Sequence, residues 1–580
     1  MQQEISALIS KALESLNNNK ISEAEKIIKK VLILNNYNFE AINLMGVIKG
    51  MQNYHSEAKV FFEKLVKINS KDILANFNLA KTLSELNEDQ EAIIYYKRAI
   101  ELNKNYHDAL CGYGMSLFKL NKFTEALEQY NYALNINPNS VVCLINKAIL
   151  LNKINKNNEA IICCDKALKI NPSLYEAHYN KIIYLLELEL NEEAIYSFEE
   201  AKKLKIIDRI KDSKFFLNVA IVYYKLERYN EADENYNIAL KISPNSPEIK
   251  YNLALLQLIS GKFLEGFENY EQRLNMPHLD LLGFKSKALK NLNYVNVQEL
   301  KYNILPTLIN LSDLRGKILL VTDEQGFGDF IQFSRYIYKL LEYNPKQIIL
   351  EVHKNLQDFI KVQFDNSVRI IDVGDFIKEN VDYKVALLSL PYLFKTTLNS
   401  IPYTNKYFNN LKILPFRLKN ILNTKKKLKI AIACSGNPKN KLDKTRSIHL
   451  ENFEPLTKYA ELFLLQKSIN KKDQHFLESK KSSIKFIGKD INCFSYLAAV
   501  IVDMDLVISV DTVFIHLAGS LGKKAFLLLS SHHDWRWLLD INYSPWYDSV
   551  ILYRREKNEK NWKRLFENII KDLENLKNIN

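Results

Sequence analysis

No run of this 580-residue chain approaches the roughly 18 consecutive apolar residues of a membrane span. The best candidate, residues 496–510, is interrupted by Asp503 and Asp505. The opening MQQEISALISKAL has no basic segment, apolar stretch and small-residue cleavage site in series, so no secretory signal is expected. Cysteine is sparse: Cys111, Cys143, Cys163, Cys164, Cys434 and Cys493 lie scattered, without metal-ligand or disulfide-scaffold spacing. That usage fits a reducing compartment and predicts a cytoplasmic protein. Glycine is also scarce, 15 residues in all, so the turns in which it recurs stand out. The 80 basic and 67 acidic residues leave a net charge of +13, which permits an anionic partner and selects none. A hydrophobic fraction of 47% excludes wholesale disorder, and the length suggests two to four domains of about 100–200 residues each.

The first half repeats itself. Small residues recur at Ala24, Ala58, Ala92, Ala126, Ala160 and Ala194 in steps of 34, then at Ala232 after 38 and Gly266 after 34. A large residue stands four places on in most units (Phe62, Tyr96, Tyr130, Phe198, Tyr236, Tyr270), and another small one twelve places before (Gly46, Ala80, Gly114, Ala148, Ala220, Ala254). Small side chains let paired helices approach, and the large one fills the space beside them. A 34-residue period with this pattern resembles the tetratricopeptide repeat, in about eight units over residues 1–272. The four extra residues near 206–211 fall between units, where a loop absorbs them. Such an array is a superhelix that binds peptides or protein partners. Asn78, Asn146, Asn218 and Asn252 each stand two places before the first helix's small residue, and Asn180 holds the equivalent place before Ile182. In this repeat family that position faces the groove. The five asparagines form either a ladder that grips a peptide backbone through donor and acceptor alike, or the chance product of an asparagine-rich composition.

From about residue 316 the pattern changes to short β-branched runs alternating with helical stretches. Strands are expected at 317–322, 347–353, 369–373, 385–388, 429–434, 462–466, 484–487, 506–510 and 525–529. Helices are expected at 330–342, 356–364, 494–502, 513–521 and 560–576. This alternation predicts parallel sheets with helical crossovers. After a linker at 273–316, two Rossmann-like halves follow, 317–426 and 427–580, joined near the basic stretch 424–429. Ligands bind beyond the carboxyl ends of such strands.

Three loops there carry candidate chemistry. In the first, Gln325, Gly326, Gly328, Asp329 and Gln332 follow a strand and open a helix; the glycines allow close approach, and Asp329 is a helix cap or a functional carboxylate. The second, Ser435-Gly436-Asn437 with Lys444, Arg446 and Ser447, offers a hydroxyl and cations to an anion such as a diphosphate; a solvated basic loop is the alternative. In the third, Asp511 and Thr512 precede a helix bearing His516 one turn in, so its first amides can meet phosphate while Asp511 accepts sugar hydroxyls.

The segments DEQGFGDFIQFSRY, SGNPKNKLDKTRSIHL, ISVDTVFIHLAGSLGK and DWRWLLDINYSPWYDSVILYR, in this order, resemble bacterial heptosyltransferase-like glycosyltransferases of the GT-B fold, here joined to tetratricopeptide repeats. The fold expected is therefore an α-solenoid followed by an α/β GT-B domain of two Rossmann-like lobes, acceptor side first and nucleotide-sugar side second. The resemblance implies Asp329 as catalytic base, Arg446 as the residue neutralising the leaving diphosphate, and Asp511, Thr512 and His516 as contacts to donor sugar and phosphate. His449, His532 and His533 depart from the usual pattern in flanking loops. Trp535, Trp537 and Trp546 either stack on a ligand or pack a core.

The implied reaction is inverting transfer from a nucleotide sugar to a hydroxyl, without a metal or other cofactor. The Asp503-Met-Asp505 pair precedes its strand, on the wrong side for a cleft. The expected partners are the nucleotide sugar and a protein or peptide acceptor in the repeat groove, with no nucleic acid. Two alternatives stand beside it: transfer to a surface polysaccharide or lipid-linked glycan, and a scaffold with an inactive transferase domain.

Overall fold

The computed structural model describes residues 2–276, 307–324, 326–373, 375, 377, 380–423, 428–436, 443–479, 482–556, 559 and 561–577. Sixteen helices, from Gln2–Asn17 to Phe263–Tyr270, form eight pairs in sequence order. The chain divides into two compact units, Met1–Val222 and Tyr223–Asn580, so the final repeats group with the sheets that follow.

Asparagine builds the turns of the first unit twice per repeat. Between paired helices one residue takes a left-handed conformation at Asn19, Asn53, Asn87, Asn121, Asn155 and Glu189, with φ from 57° to 62°. The amide after it reaches back five residues, as Lys20 to the Ser15 carbonyl and Glu88 to that of Leu83. This closes the helix by satisfying its last carbonyls, and asparagine is the side chain most at ease there after glycine. At the other turn Asn35, Asn69, Asn103, Asn137 and Asn171 each accept, through the side chain, the amide two residues on. The helix pairs pack as the small–large pattern requires: a Cβ on Gly114 would stand 2.7 Å from the Tyr130 ring. The expected insertion is a short 3₁₀ turn, Ile207–Arg209, seated by buried Ile206, Ile207 and Ile210.

Among its described residues the second unit holds two sheets of parallel strands. Strands β1 (Ile318–Thr322), β2 (Gln347–Glu351), β3 (Val368–Ile371) and β4 (Tyr383–Ala386) lie in the order β3-β2-β1-β4. Strands β5 (Leu428–Ala433), β6 (Ala460–Leu464), β7 (Lys485–Phe486), β8 (Leu506–Val510), β9 (Ala525–Leu529) and β10 (Val550–Arg554) lie in the order β10-β9-β8-β5-β6-β7. Renumbered from its own first strand, the larger sheet reads 3-2-1-4-5-6, the doubly wound Rossmann order, and the smaller has its first four. Strands β8 and β9 are buried throughout, as strands covered on both faces must be.

All nine expected strands form. The tenth, β10, escapes sequence reading because it is an edge strand whose residues alternate between burial and exposure. The expected helix at 330–342 begins at Phe327 and is broken at Ser334 into Phe327–Phe333 and Arg335–Leu341. The Ser334 hydroxyl, at the break, donates to the Ile331 carbonyl at 2.7 Å. Among the described residues no helix is long and apolar enough to cross a membrane.

Candidate active site

In each sheet the strand order reverses beside its first strand, and every candidate loop of the second half opens at such a reversal. The loop carrying Asp329 follows β1. Those carrying Ser435 and Asp511 follow β5 and β8, which are neighbours. Switch points of this kind are where open α/β sheets leave a crevice for ligands.

Asp329 is not the N-cap residue of its helix. It stands at the third helical position, where Oδ2 accepts the Gly326 amide at 3.2 Å and closes the first turn. Its other oxygen pairs with Arg536, a residue the sequence reading passed over within DWRW. Arg536 also donates to Asp534 at 2.7 Å and to Oε1 of Gln332 at 2.9 Å, and its guanidinium lies over the Trp535 ring. Burial pushes the Asp329 carboxyl up, with Arg536 opposing that shift and Asp534 adding to it.

The helix Phe327–Phe333 packs directly on Val513–Ser520, which follows β8. The contact passes through Gly328, where a Cβ would meet the His516 ring at 2.8 Å. His516 is enclosed: Nδ1 meets the Tyr547 hydroxyl at 3.0 Å, its face stacks on Trp537, and Nε2 is 3.9 Å from Asp511. Burial, then Arg536, Arg335 and Arg446, hold its pKa well below the usual range, so the imidazole is neutral and brings no cation to a phosphate. The Asp511 carboxyl is pushed up to about 6, first by burial and then by Asp534.

Arg446 ties the β5 and β8 loops together, donating to the Asp511 carbonyl at 2.7 Å and to Asp443 at 3.2 Å. Asp443 also accepts the Gly436 amide at 2.8 Å. A Cβ at position 436 would stand 2.2 Å from the Arg446 guanidinium, so glycine there lets the arginine lie against the loop. The Ser435 hydroxyl accepts from Nε2 of Gln466 at 2.7 Å, and the side-chain oxygen Oε1 of Gln466 takes the Cys434 amide. Thr512 stands at the N-cap position of its helix without a side-chain cap bond, and its hydroxyl lies 3.0 Å from that of Ser509. Two buried polar atoms on these elements have no protein partner among the described residues, Nε2 of Gln332 and the Ser447 hydroxyl. Unsatisfied buried donors are costly, and a polar ligand would meet them.

Thus Gly326, Gly328, Asp329 and Gln332 join Asp511 and His516 in one connected set, and Arg446, Gly436 and Ser435 continue it. Gln325, Asn437 and the Lys444 side chain lie outside the described residues. Trp535, Trp537 and Trp546 are buried at 4%, 0% and 0% exposure, so of their two readings core packing prevails. Beyond β6 and β7 a cavity of about 390 Å³ is lined by Lys467, Ser468, Phe486 and Lys489, among others. In the repeats, Asn78, Asn146, Asn180, Asn218 and Asn252 are all half-buried. Asn78 bonds Asn43 at 3.2 Å and Asn146 lies 3.8 Å from the Cys111 sulfur, each one repeat back, while Asn252 donates to the Glu248 carbonyl of its own helix.

Residues 222–261 match the family described as TPR repeat, and residues 85–167 match the family described as anaphase-promoting complex, cyclosome, subunit 3. Protein FlbA of Caulobacter vibrioides is 24% identical over 376 residues, covering 60% of this chain and 59% of FlbA. That share exceeds what the sixteen helices occupy, so this similarity continues past them. An N-terminal acetyltransferase A complex subunit-like protein of Schizosaccharomyces pombe is 28% identical over 198 residues, covering 33% of this chain and 26% of that protein. The chain therefore spans about three fifths of one curated relative and a quarter of the other. Among solved structures, YrrB, described as a TPR protein with an unusual peptide-binding site, aligns with 22% identity and a TM-score of 0.30 over 33% of this chain and 98% of that one. A tetratricopeptide repeat protein from Parabacteroides merdae aligns with 19% identity and a TM-score of 0.34, over 44% and 99%. The N-terminal half of the chain carries TPR repeats.

Proposed function

We propose that this protein is a glycosyltransferase whose two parallel sheets are the lobes of a GT-B fold, taking a nucleotide sugar as donor and a protein hydroxyl as acceptor. The observation that carries the reading is the juxtaposition across Gly328 and His516. It sets a carboxylate with a raised pKa, Asp329, beside the loops that follow β5 and β8. A raised pKa suits a general base at neutral pH.

Asp329 takes the proton of the acceptor hydroxyl as its oxygen bonds to the anomeric carbon from the face opposite the diphosphate. The bond from that carbon to the diphosphate oxygen breaks, and configuration inverts. Negative charge on the departing nucleoside diphosphate is met by Arg446, the Ser435 hydroxyl and the first amides of Val513–Ser520. Asp511 accepts hydroxyls of the sugar. The cavity beyond β6 and β7 has the size of a small-molecule pocket and suits the base of the nucleotide. The half-buried asparagines of the repeats contact the acceptor chain. Partner binding by the repeats and action in the cytoplasm belong to the same reading.

The test is release of nucleoside diphosphate by the full chain from a panel of nucleotide sugars, with EDTA-treated enzyme alongside. Turnover that survives chelation is expected. Asp329→Asn should lower transfer by about 10²–10⁴-fold while nucleotide affinity stays within twofold. A chain that neither binds nucleotides nor turns any donor over is a scaffold, and the proposal fails. Asn78→Ala with Asn146→Ala should raise the acceptor KM alone; an unchanged KM would favour a glycan acceptor over a protein.

A further inference from the structure

The crevice at the switch point of the smaller sheet, between the loops after β1 and β4, is filled by an arginine from the helical repeats. Arg273 lies in the 3₁₀ turn Glu271–Asn275 that ends the last repeat helix, and it is 1% exposed. It grips Glu324 with two parallel hydrogen bonds of 2.9 and 2.8 Å, and the Ser389 hydroxyl accepts a third at 2.8 Å. Glu271 pairs with it at 2.6 Å, and the Tyr270 ring lies under the guanidinium at 5.0 Å. Glu324 belongs to the loop after β1, five residues before Asp329. Ser389 follows β4.

The same repeat helix holds the other side of Asp329. Phe263, Phe267 and Tyr270 pack their rings around Trp535, at centroid distances of 6.4, 5.8 and 6.1 Å. Trp535 in turn supports Arg536, the counter-ion of Asp329. The loop that carries the carboxylate and the residue that pairs with it are therefore both anchored on Phe263–Asn275. A buried ion pair adds little stability over a well-packed apolar replacement. What a two-pronged guanidinium supplies is geometry, since it fixes both carboxylate oxygens in one plane.

We infer that Arg273 is a positioning residue for Asp329, acting through Glu324, and that the terminal repeat is thereby part of the catalytic unit. This rests on the glycosyl-transfer reading, so its test carries a readout independent of activity. In the full chain, Arg273→Met should raise amide hydrogen exchange across residues 318–333 at least tenfold. It should lower turnover at saturating donor at least tenfold, with donor KM and nucleoside diphosphate affinity within twofold, because the β5 and β8 loops are untouched. Arg273→Lys, which keeps the charge and loses the fork, should fall between. Ser389→Ala removes one bond only and should produce a smaller effect of the same sign; with Arg273→Lys it decides the matter if Arg273→Met does not fold. Unchanged exchange, or faster exchange with unaltered turnover, overturns the inference. A wild-type chain inactive on every donor overturns the glycosyl-transfer reading and the catalytic role together. Exchange then still tells whether Arg273 orders the loop.

Discussion

Gly328 lies beneath the His516 imidazole, so near that a methyl group there would stand 2.8 Å from Cδ2. The imidazole is itself backed by Trp537 and Tyr547 and has no room to withdraw. Gly328→Ala should cost about 1–3 kcal/mol through overpacking, read as a lower denaturant midpoint, and should depress transfer. Adding His516→Ala should restore part of that stability, giving a favourable coupling in the double-mutant cycle. A Gly328→Ala variant as stable as the parent would mean that the two helices do not meet there.

Arg446 and Gly436 make a linked prediction. Removing the guanidinium by Arg446→Ala should weaken nucleoside diphosphate binding by about 1.5–3 kcal/mol, the range for a hydrogen bond to a charged group. Gly436→Ala leaves the arginine in place but drives a Cβ into it, so it should weaken binding in the same direction. Calorimetric titration of both variants checks this; affinity unchanged in Arg446→Ala would remove its phosphate role.

The repeats were legible because a period of 34 is written in small residues that touch their neighbours, as Gly114 touches Tyr130. The sheets were legible as apolar β-branched runs. Arg536 was not: its importance comes from folding back onto Asp329, 207 positions away, and no local spacing encodes that. Arg273 was missed for the same reason, standing at the first position of what reads as a linker while its partners lie 51 and 116 residues on. His516 was legible as the residue one turn into the helix after β8, yet its neutrality depends on burial that only tertiary packing reveals.

The left-handed turn residues allow a stability test remote from the site. Of the six that lie between paired helices in the first unit, five are asparagine and the sixth is Glu189, with φ of 57°. A side chain without asparagine's local hydrogen bonding costs about 1–2 kcal/mol in this conformation. Glu189→Gly should therefore stabilise the chain by about 1 kcal/mol, and Asn87→Ala should destabilise it by a similar amount, both read by thermal melting. Opposite signs would show that the turns are held by something other than backbone preference.

The two carboxyls of the site give the pH dependence its direction. Asp511 titrates at about 6 in the folded chain, against about 4 in an unfolded one. The folded state binds this proton more tightly, so the contribution of Asp511 to stability is fully present below pH 4 and is lost as pH rises through 6. Asp511→Asn should then flatten the fall in melting temperature between pH 4 and 6 and leave the variant more stable than the parent above that range. Asp329 must be ionised to accept a proton, and its pKa is also raised. The acid limb of the pH–rate profile should accordingly lie above pH 4, and a limb at or below that value would contradict the burial that lifts both groups.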